Sequence, residues 1–212
     1  MTPQGIFTHY KEPNTTGLGE MMFFELKDRN PVEYAKDIIK RDPIILDTET
    51  TGLKSDDEIV EIAAVDIDGD VQINTLIKPV DVIPARAILI HGINNRIVNN
   101  APTFDIVWKN KLKSLLSNRP ICLYNYDFDI RLIRQSLSKY GIELGKIGEV
   151  ICVMRLYAKY KGTWDDHYGH FKWYKLRDAA RQSRLSLPKA IHRALADAEL
   201  TRKLLMHIAS QE

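Results

Sequence analysis

Three strand-like runs lying close together constrain this chain more than anything else in it: residues 43–49 (PIILDTE), 58–67 (EIVEIAAVDI) and 71–78 (VQINTLIK). The second is rich in Ile and Val, and Asp68-Gly69-Asp70 supplies a hairpin turn into the third. A meander of three strands therefore opens the domain. Beyond it the pattern changes. Residues 84–98 read as helical or irregular, and a helix over 103–118 starts at Thr103 and stops at Asn118-Arg119-Pro120. A strand at 120–125, a helix at 127–140, a strand near 148–153 and helices at 154–160, 175–184 and 193–209 follow. A meander followed by strands alternating with helices implies an α/β fold with a mixed sheet flanked by helices, not an all-parallel one.

Ahead of this domain, Asn30-Pro31 followed by Glu33 gives an N-cap, a Pro at the first helical position and a capping-box acid, so one helix is expected to about Arg41. Residues 1–20 mix Pro, Gly, Asn and Thr without periodicity and read as an irregular arm. The expected organisation is an N-terminal extension over 1–42 and one domain over 43–212. With 212 residues, 44% of them hydrophobic, the chain can bury one sizeable core. No apolar run approaches the roughly 18 residues of a membrane span. The N-terminus also lacks the order of a signal peptide, so no membrane association and a cytoplasmic location are expected. Cys122 and Cys152 each sit in an apolar run and read as buried free thiols. A net charge of +2 is compatible with a polyanionic partner without demonstrating one.

The first strand ends in acid. Side chains alternate along a strand, so Asp47 and Glu49 share one face while Leu46, Thr48 and Thr50 take the other. By itself a D-x-E is also the pattern of a solvated strand end. Two further acids change the balance. In the helix after YNYDFD, the apolar stripe Leu132, Ile133, Leu137, Tyr140 extends back onto Asp129 and not onto Asp127, which falls on an outward face with Arg131 and Arg134. In the last helix Asp197 lies in the row Ala194, Thr201, Leu204, Ile208. Each acid singly reads as a cap or a surface group, but several core-facing carboxylates in one short domain repel one another unless cations lie between them. Helix N-termini ease this by only about 0.3–1 kcal/mol each. Hard divalent cations such as Mg²⁺, which take oxygen ligands, answer it better.

These motifs carry a family resemblance. "DTETTGL" with "EIVEIAAVDIDG" behind it, then "YNYDFD", then "HRALADA" resemble the three exonuclease motifs of the DnaQ-like family, the histidine branch of the DEDD 3′→5′ exonucleases, over residues 43–210. The resemblance implies a ribonuclease H-like fold with a five-stranded mixed sheet. It implies Asp47, Glu49, Asp129 and Asp197 as ligands of two Mg²⁺ ions, with Mn²⁺ able to substitute, and His192 as general base. It also suggests that Thr48, Thr50 and Leu53 lie close to the terminal nucleotide, with Asn125 and Phe128 supporting that pocket. "IHGI" at 90–93 resembles a segment bordering the family's active site, and Tyr124 stands where many relatives have His. The extension over 1–42 has no counterpart in the minimal family domain.

Geometry agrees with the role given to His192. It precedes Asp197 by five residues, and two positions five apart inside one helix diverge by about 140°, so His192 must sit at or outside the helix start to approach the acids. An ordinary imidazole pKa of about 6.5 suits a base at neutral pH. The other histidines, His9, His91, His167, His170 and His207, read as surface residues, and His167-x-x-His170 has no further ligands nearby to make a zinc site. The segment 163–177 interleaves aromatics with Lys172, Lys175 and Arg177, a composition that suits stacked bases and phosphates and equally suits a loop packed on its own domain.

The expected function is metal-dependent hydrolysis from the 3′ end of DNA, single-stranded or frayed, to nucleoside 5′-monophosphates. Trimming of short RNA is the alternative of the same fold, since no readable residue selects against a 2′-OH. A catalytically inert nucleic-acid-binding scaffold is the third reading, disfavoured by the intact set of four acids and a histidine. The partner expected is a nucleic acid 3′ end, DNA before RNA. No residue points to a particular polymerase or repair partner.

Overall fold

The structure is a computed structural model that describes residues 29–188 and 192–212, so the arm expected over 1–20 lies outside the described residues. Residues Pro31–Glu212 form one compact unit. Its centre is a five-stranded sheet of β1 (Ile44–Thr50), β2 (Ile59–Val65), β3 (Val71–Leu76), β4 (Ile121–Leu123) and β5 (Val150–Cys152), in the order β3-β2-β1-β4-β5. β1 and β2, and β2 and β3, are antiparallel, whereas β1–β4 and β4–β5 are parallel. The expected mixed sheet is therefore present, and its change of direction falls at β1.

The helices are α1 (Pro31–Lys40), α2 (Ala85–His91), α3 (Asn95–Val98), α4 (Phe104–Val107), α5 (Lys113–Leu115), α6 (Tyr126–Ser138), α7 (Val153–Lys161), α8 (Leu176–Gln182) and α9 (Ala194–Ala209). α9 packs on β1, β2, α1, α7 and α8, which makes β2 buried along its whole length. β4 pairs with the first residues of β1, Ile44 opposite Ile121 and Ile45 opposite Cys122. The chain then leaves the sheet after Leu123 and enters α6, whose first turn lies at the acidic end of β1. Both cysteines are buried and free.

Two local features differ from expectation. The helix expected over 103–118 is interrupted by a π-helical stretch, Trp108–Leu112, between α4 and α5. Its buried residues Phe104, Trp108, Leu112 and Leu116 are spaced four apart, which drifts around an α-helix of about 3.6 residues per turn. The wider π turn reverses that drift and keeps all four on one buried face. Thr103 does sit at the N-cap position, but its hydroxyl donates to Asp105 Oδ1 (2.6 Å) and accepts from no backbone N–H of the helix. The hairpin turn is as expected: Asp66 Oδ1 accepts from the N–H groups of Asp68, Gly69 and Asp70, and Gly69 takes φ +97°, where a side chain would be strained.

Candidate active site

The acidic end of β1 is shaped by its turn. The ladder to β2 shifts register between Glu49 and Thr50, and the chain then closes on itself. Thr50 Oγ1 donates to Gly52 O (2.8 Å), Thr51 Oγ1 donates to Asp57 Oδ1 (2.8 Å), and Glu58 N–H donates to Thr51 Oγ1 (2.9 Å). A Cβ at Gly52 would meet Asp57 Oδ2 at 2.5 Å, so the Thr-Thr-Gly turn requires glycine there. Leu53, at the turn's outer edge, is 64% exposed, and Arg131 and Gln135 of α6 hold the carbonyl of Lys54 behind it, each at 3.1 Å.

Asp129 reaches the same place from the first turn of α6. It is 5% exposed, and Thr48 Oγ1 donates to its Oδ1 at 2.8 Å. Thr48, expected beside a terminal nucleotide, thus has its hydroxyl committed to a neighbouring acid. Asn125 is exposed at the N-cap position of α6 and makes no side-chain cap, and Phe128 is half-buried beneath the Arg131 guanidinium (5.4 Å to the ring centroid).

The carboxylates feel one another strongly. Burial raises Asp47 well above the usual carboxylate range, reinforced by Asp129, Asp197, Glu49 and Glu61. Burial, with Asp197 and Glu61 next, raises Glu49 to about 8. Asp129 is raised to about 7 by burial against the opposing Thr48 hydrogen bond. Asp197 is raised by burial and drawn back by His192 and Arg177. Four such groups cannot all carry charge at neutral pH without a counter-charge among them. Ligand atoms of Glu49, His192 and Asp197 lie within 4.8 Å of one another, a spacing that fits a divalent cation. Asp47 and Asp129 stand outside that triad and are joined to it electrostatically.

His192 is exposed, with φ +54°, just ahead of Arg193, the N-cap of α9. This is the place outside the helix that the five-residue spacing demands. The left-handed conformation is unfavourable for a non-glycine residue and persists only where neighbouring contacts hold it. Glu61 fixes the two residues that follow His192. The Arg193 guanidinium forks onto it, Nε at 3.0 Å from each oxygen with Nη2 also on Oε1, and Ala194 N–H donates to Oε2 at 2.9 Å.

The sequence pattern of the RNase_T exonuclease family matches residues 44–205, which takes in β1 and the start of α9. The chain belongs to this family of DEDD exonucleases. It is 41% identical over 177 residues to the uncharacterized exonuclease CP81 of Escherichia phage 186, a match covering 80% of this chain and 89% of that protein. It is 27% identical over 184 residues to the DNA polymerase III subunit epsilon of Buchnera aphidicola, covering 79% and 74%. Among solved structures it is similar to Exonuclease X in complex with 5′ overhanging duplex DNA, at 29% identity and a TM-score of 0.59, covering 78% of this chain and 90% of that one. The fold is ribonuclease H-like.

Within this exonuclease domain the structure corrects several readings of single residues. His91 is not a surface residue: it is buried, its Nδ1 accepts from Ile93 N–H (3.0 Å), and its Nε2 faces Thr50 O (3.2 Å). Because Nδ1 accepts, Nε2 carries the proton and donates, so the IHGI segment is tied to the end of β1. His170 and His207 are partly buried against aromatic rings, and His9 lies outside the described residues. Asp127 is not simply outward; it pairs with Arg155 Nη2 at 2.9 Å, and Arg155 also lies over the Tyr126 ring.

Glu61 is not among the candidate site residues that the sequence offers. Its signal is an acid inside an apolar run: Glu58 opens that run and Glu61 interrupts it, and both are 2% exposed. Glu58 accepts from the backbone N–H groups of Val80 and Asp81, and Glu61 holds the start of α9. Among the described helices none is long and apolar enough to cross a membrane.

Proposed function

We propose that this chain is a 3′→5′ exonuclease that hydrolyses phosphodiester bonds at single-stranded or frayed 3′ ends of DNA, releasing nucleoside 5′-monophosphates. The observation that carries the reading is the convergence of four carboxylates from β1, α6 and α9, each raised above its ordinary pKa by burial, with His192 beside Glu49 and Asp197. Asp47, Glu49, Asp129 and Asp197 are the groups that would hold two Mg²⁺ ions, Mn²⁺ serving as a substitute. When bound, such ions supply the positive charge that orients the phosphodiester, acidifies the attacking water and neutralises the departing 3′ oxygen.

The remaining steps fall to the chain itself. His192 is the group that takes the proton of the attacking water, from a loop position fixed by the Arg193–Glu61 fork. Thr48 orients Asp129 through its hydroxyl. Leu53, exposed on a turn braced by α6, packs against the terminal bases, and Thr50, Asn125 and Phe128 line the pocket for the last nucleotide. DNA is favoured because the epsilon relative is a DNA polymerase subunit and Exonuclease X was solved on a DNA duplex.

The test is the purified protein with Mg²⁺ on end-labelled single-stranded DNA, duplex DNA and RNA side by side. Shortening of DNA from the 3′ end with 5′-monophosphate products is expected. Release of 3′-monophosphates, or full activity in excess EDTA, overturns the mechanism. Faster shortening of RNA overturns the substrate class.

A further inference from the structure

The segment after α7 forms a small hairpin, β6 (Trp164–Asp165) and β7 (His170–Phe171), that the proposed chemistry does not use. Its rings are ordered. Tyr168 lies nearly parallel to His170 (centroids 5.8 Å, interplanar 21°), His170 stacks on Trp173 (4.4 Å, 14°), and the Arg155 guanidinium lies over Trp173 (5.7 Å) and over Tyr126 (5.0 Å). A column of flat groups thus runs from the hairpin tip to the first residue of α6, three positions before Asp129. At its far end Tyr168 is 67% exposed, with the His167 ring set edge-on to it (4.6 Å, 83°).

Beside the column lies a groove of about 500 Å³, lined by Trp173, Tyr174 and the cations Lys172, Lys175 and Arg181. Asp178, its one acid, pairs with Arg181 at 2.8 Å. Tyr124 Oη donates to Tyr174 O (2.7 Å), so the groove wall is fastened to the end of β4, next to Asn125.

We propose that this column and groove form a track for single-stranded nucleic acid, holding the strand behind the 3′-terminal nucleotide. The inference rests on the exonuclease reading for its direction, since the column ends at Tyr126, in the same first turn of α6 as Asp129. An aromatic platform next to a cationic groove is how strands are held without regard to sequence: bases stack on ring faces and phosphates meet lysines. The exposed Tyr168 ring, with His167 beside it, takes a base, and the groove takes backbone phosphates at Lys172 and Lys175.

The test reads binding without turnover. Fluorescence anisotropy of a 5′-labelled 16-nucleotide oligo-dT is measured against the full chain in EDTA. Tyr168→Ala and Trp173→Ala are expected to weaken binding about fivefold or more, the scale of one lost base–ring stack, and Trp173→Phe to restore much of it. Lys172→Glu should also weaken binding and flatten its salt dependence. Lys111→Glu, the same charge change on the exposed π-helical segment, should not.

Tyr168 is exposed, so its substitution separates a lost contact from a lost fold. Wild-type protein that fails to hold the oligonucleotide overturns the track. Binding within twofold of wild type in both Tyr168→Ala and Trp173→Ala, or equal loss in Lys111→Glu, also overturns it. Loss confined to duplex DNA overturns the single-strand occupant. Because EDTA removes hydrolysis from the readout, a chain that binds as expected yet shortens nothing with Mg²⁺ refutes the exonuclease reading and leaves the track standing.

Discussion

Glu49 and Glu61 face each other across the β1–β2 ladder, are almost equally buried, and have opposite fates. Glu61 is surrounded by donors: the Arg193 fork and the Ala194 N–H occupy both of its oxygens. Glu49 instead faces Asp197, and its pKa is driven to about 8 by burial and by neighbouring acids. A buried carboxylate with a cation and donors in place is a structural tie. Glu49, buried beside Asp197 and Glu61 with Arg193 acting on it only through space, is left protonated until a stronger cation arrives. The contrast separates the part of the site that builds the scaffold from the part that does chemistry, at two positions of one residue type.

Substitutions at the two positions should therefore differ in kind. The largest effect is expected for Glu49→Gln and Asp47→Ala: turnover and calorimetric Mn²⁺ binding should both disappear, while Glu49→Gln keeps its thermal stability in EDTA at pH 7, where burial already holds the Glu49 proton. Retained Mn²⁺ binding in both variants would dissolve the contrast.

Next in size is His192→Ala. If this side chain moves only a proton, kcat should fall by about 10²–10⁴ with Mn²⁺ affinity kept, and raising the pH should restore part of the rate by supplying hydroxide. A pH–rate series with a parallel Mn²⁺ titration reads both. Because His192 lies within ligand distance of Glu49 and Asp197, loss of Mn²⁺ binding in this variant would make it a ligand and not the base.

Arg193→Ala tests the scaffold side. It leaves Glu61 with the Ala194 N–H and frees the segment that carries His192. Arg193 is itself partly exposed, so water softens the loss, and a destabilisation of about 1–3 kcal/mol is expected in urea unfolding. Activity should drop about 10–100-fold through kcat, as for other groups that orient a reacting side chain, with Mn²⁺ binding intact. Wild-type kcat in this variant would show that the fork does not position His192.

The smallest effect is on stability against pH. In the unfolded chain these carboxyls lose their protons near their ordinary values of about 4, whereas the folded protein keeps them at Asp129 until about 7 and at Glu49 until about 8. Between those limits the folded state binds more protons, so metal-free stability should fall as pH rises through this range. A divalent cation takes the protons' place. Mn²⁺ at about 100 times its Kd should raise Tm by about 5–10 °C at pH 8 and by less at pH 5. Equal shifts at both pH values would place the bound ion elsewhere.

What could be read from the chain alone followed from periodicity. Alternation in a strand puts Asp47 and Glu49 on one face, the 3.6-residue period turns Asp129 and not Asp127 toward the core, and the five-residue gap keeps His192 out of α9. These are short-range properties, set by backbone geometry within a few residues, and the meander and helix order belong with them.

The tertiary structure decided which distant side chains meet. Arg193 finds Glu61 across 132 positions, Thr48 finds Asp129 across 81, and His91 finds the Thr50 carbonyl across 41. Asp127 changes from a solvated acid to the partner of Arg155 for the same reason. A periodic pattern can say that a residue faces inward, but which donor or charge waits there depends on how the sheet and α9 close over it. The division between a structural Glu61 and a chemical Glu49 exists only once that closure has brought Arg193 to one and Asp197 to the other.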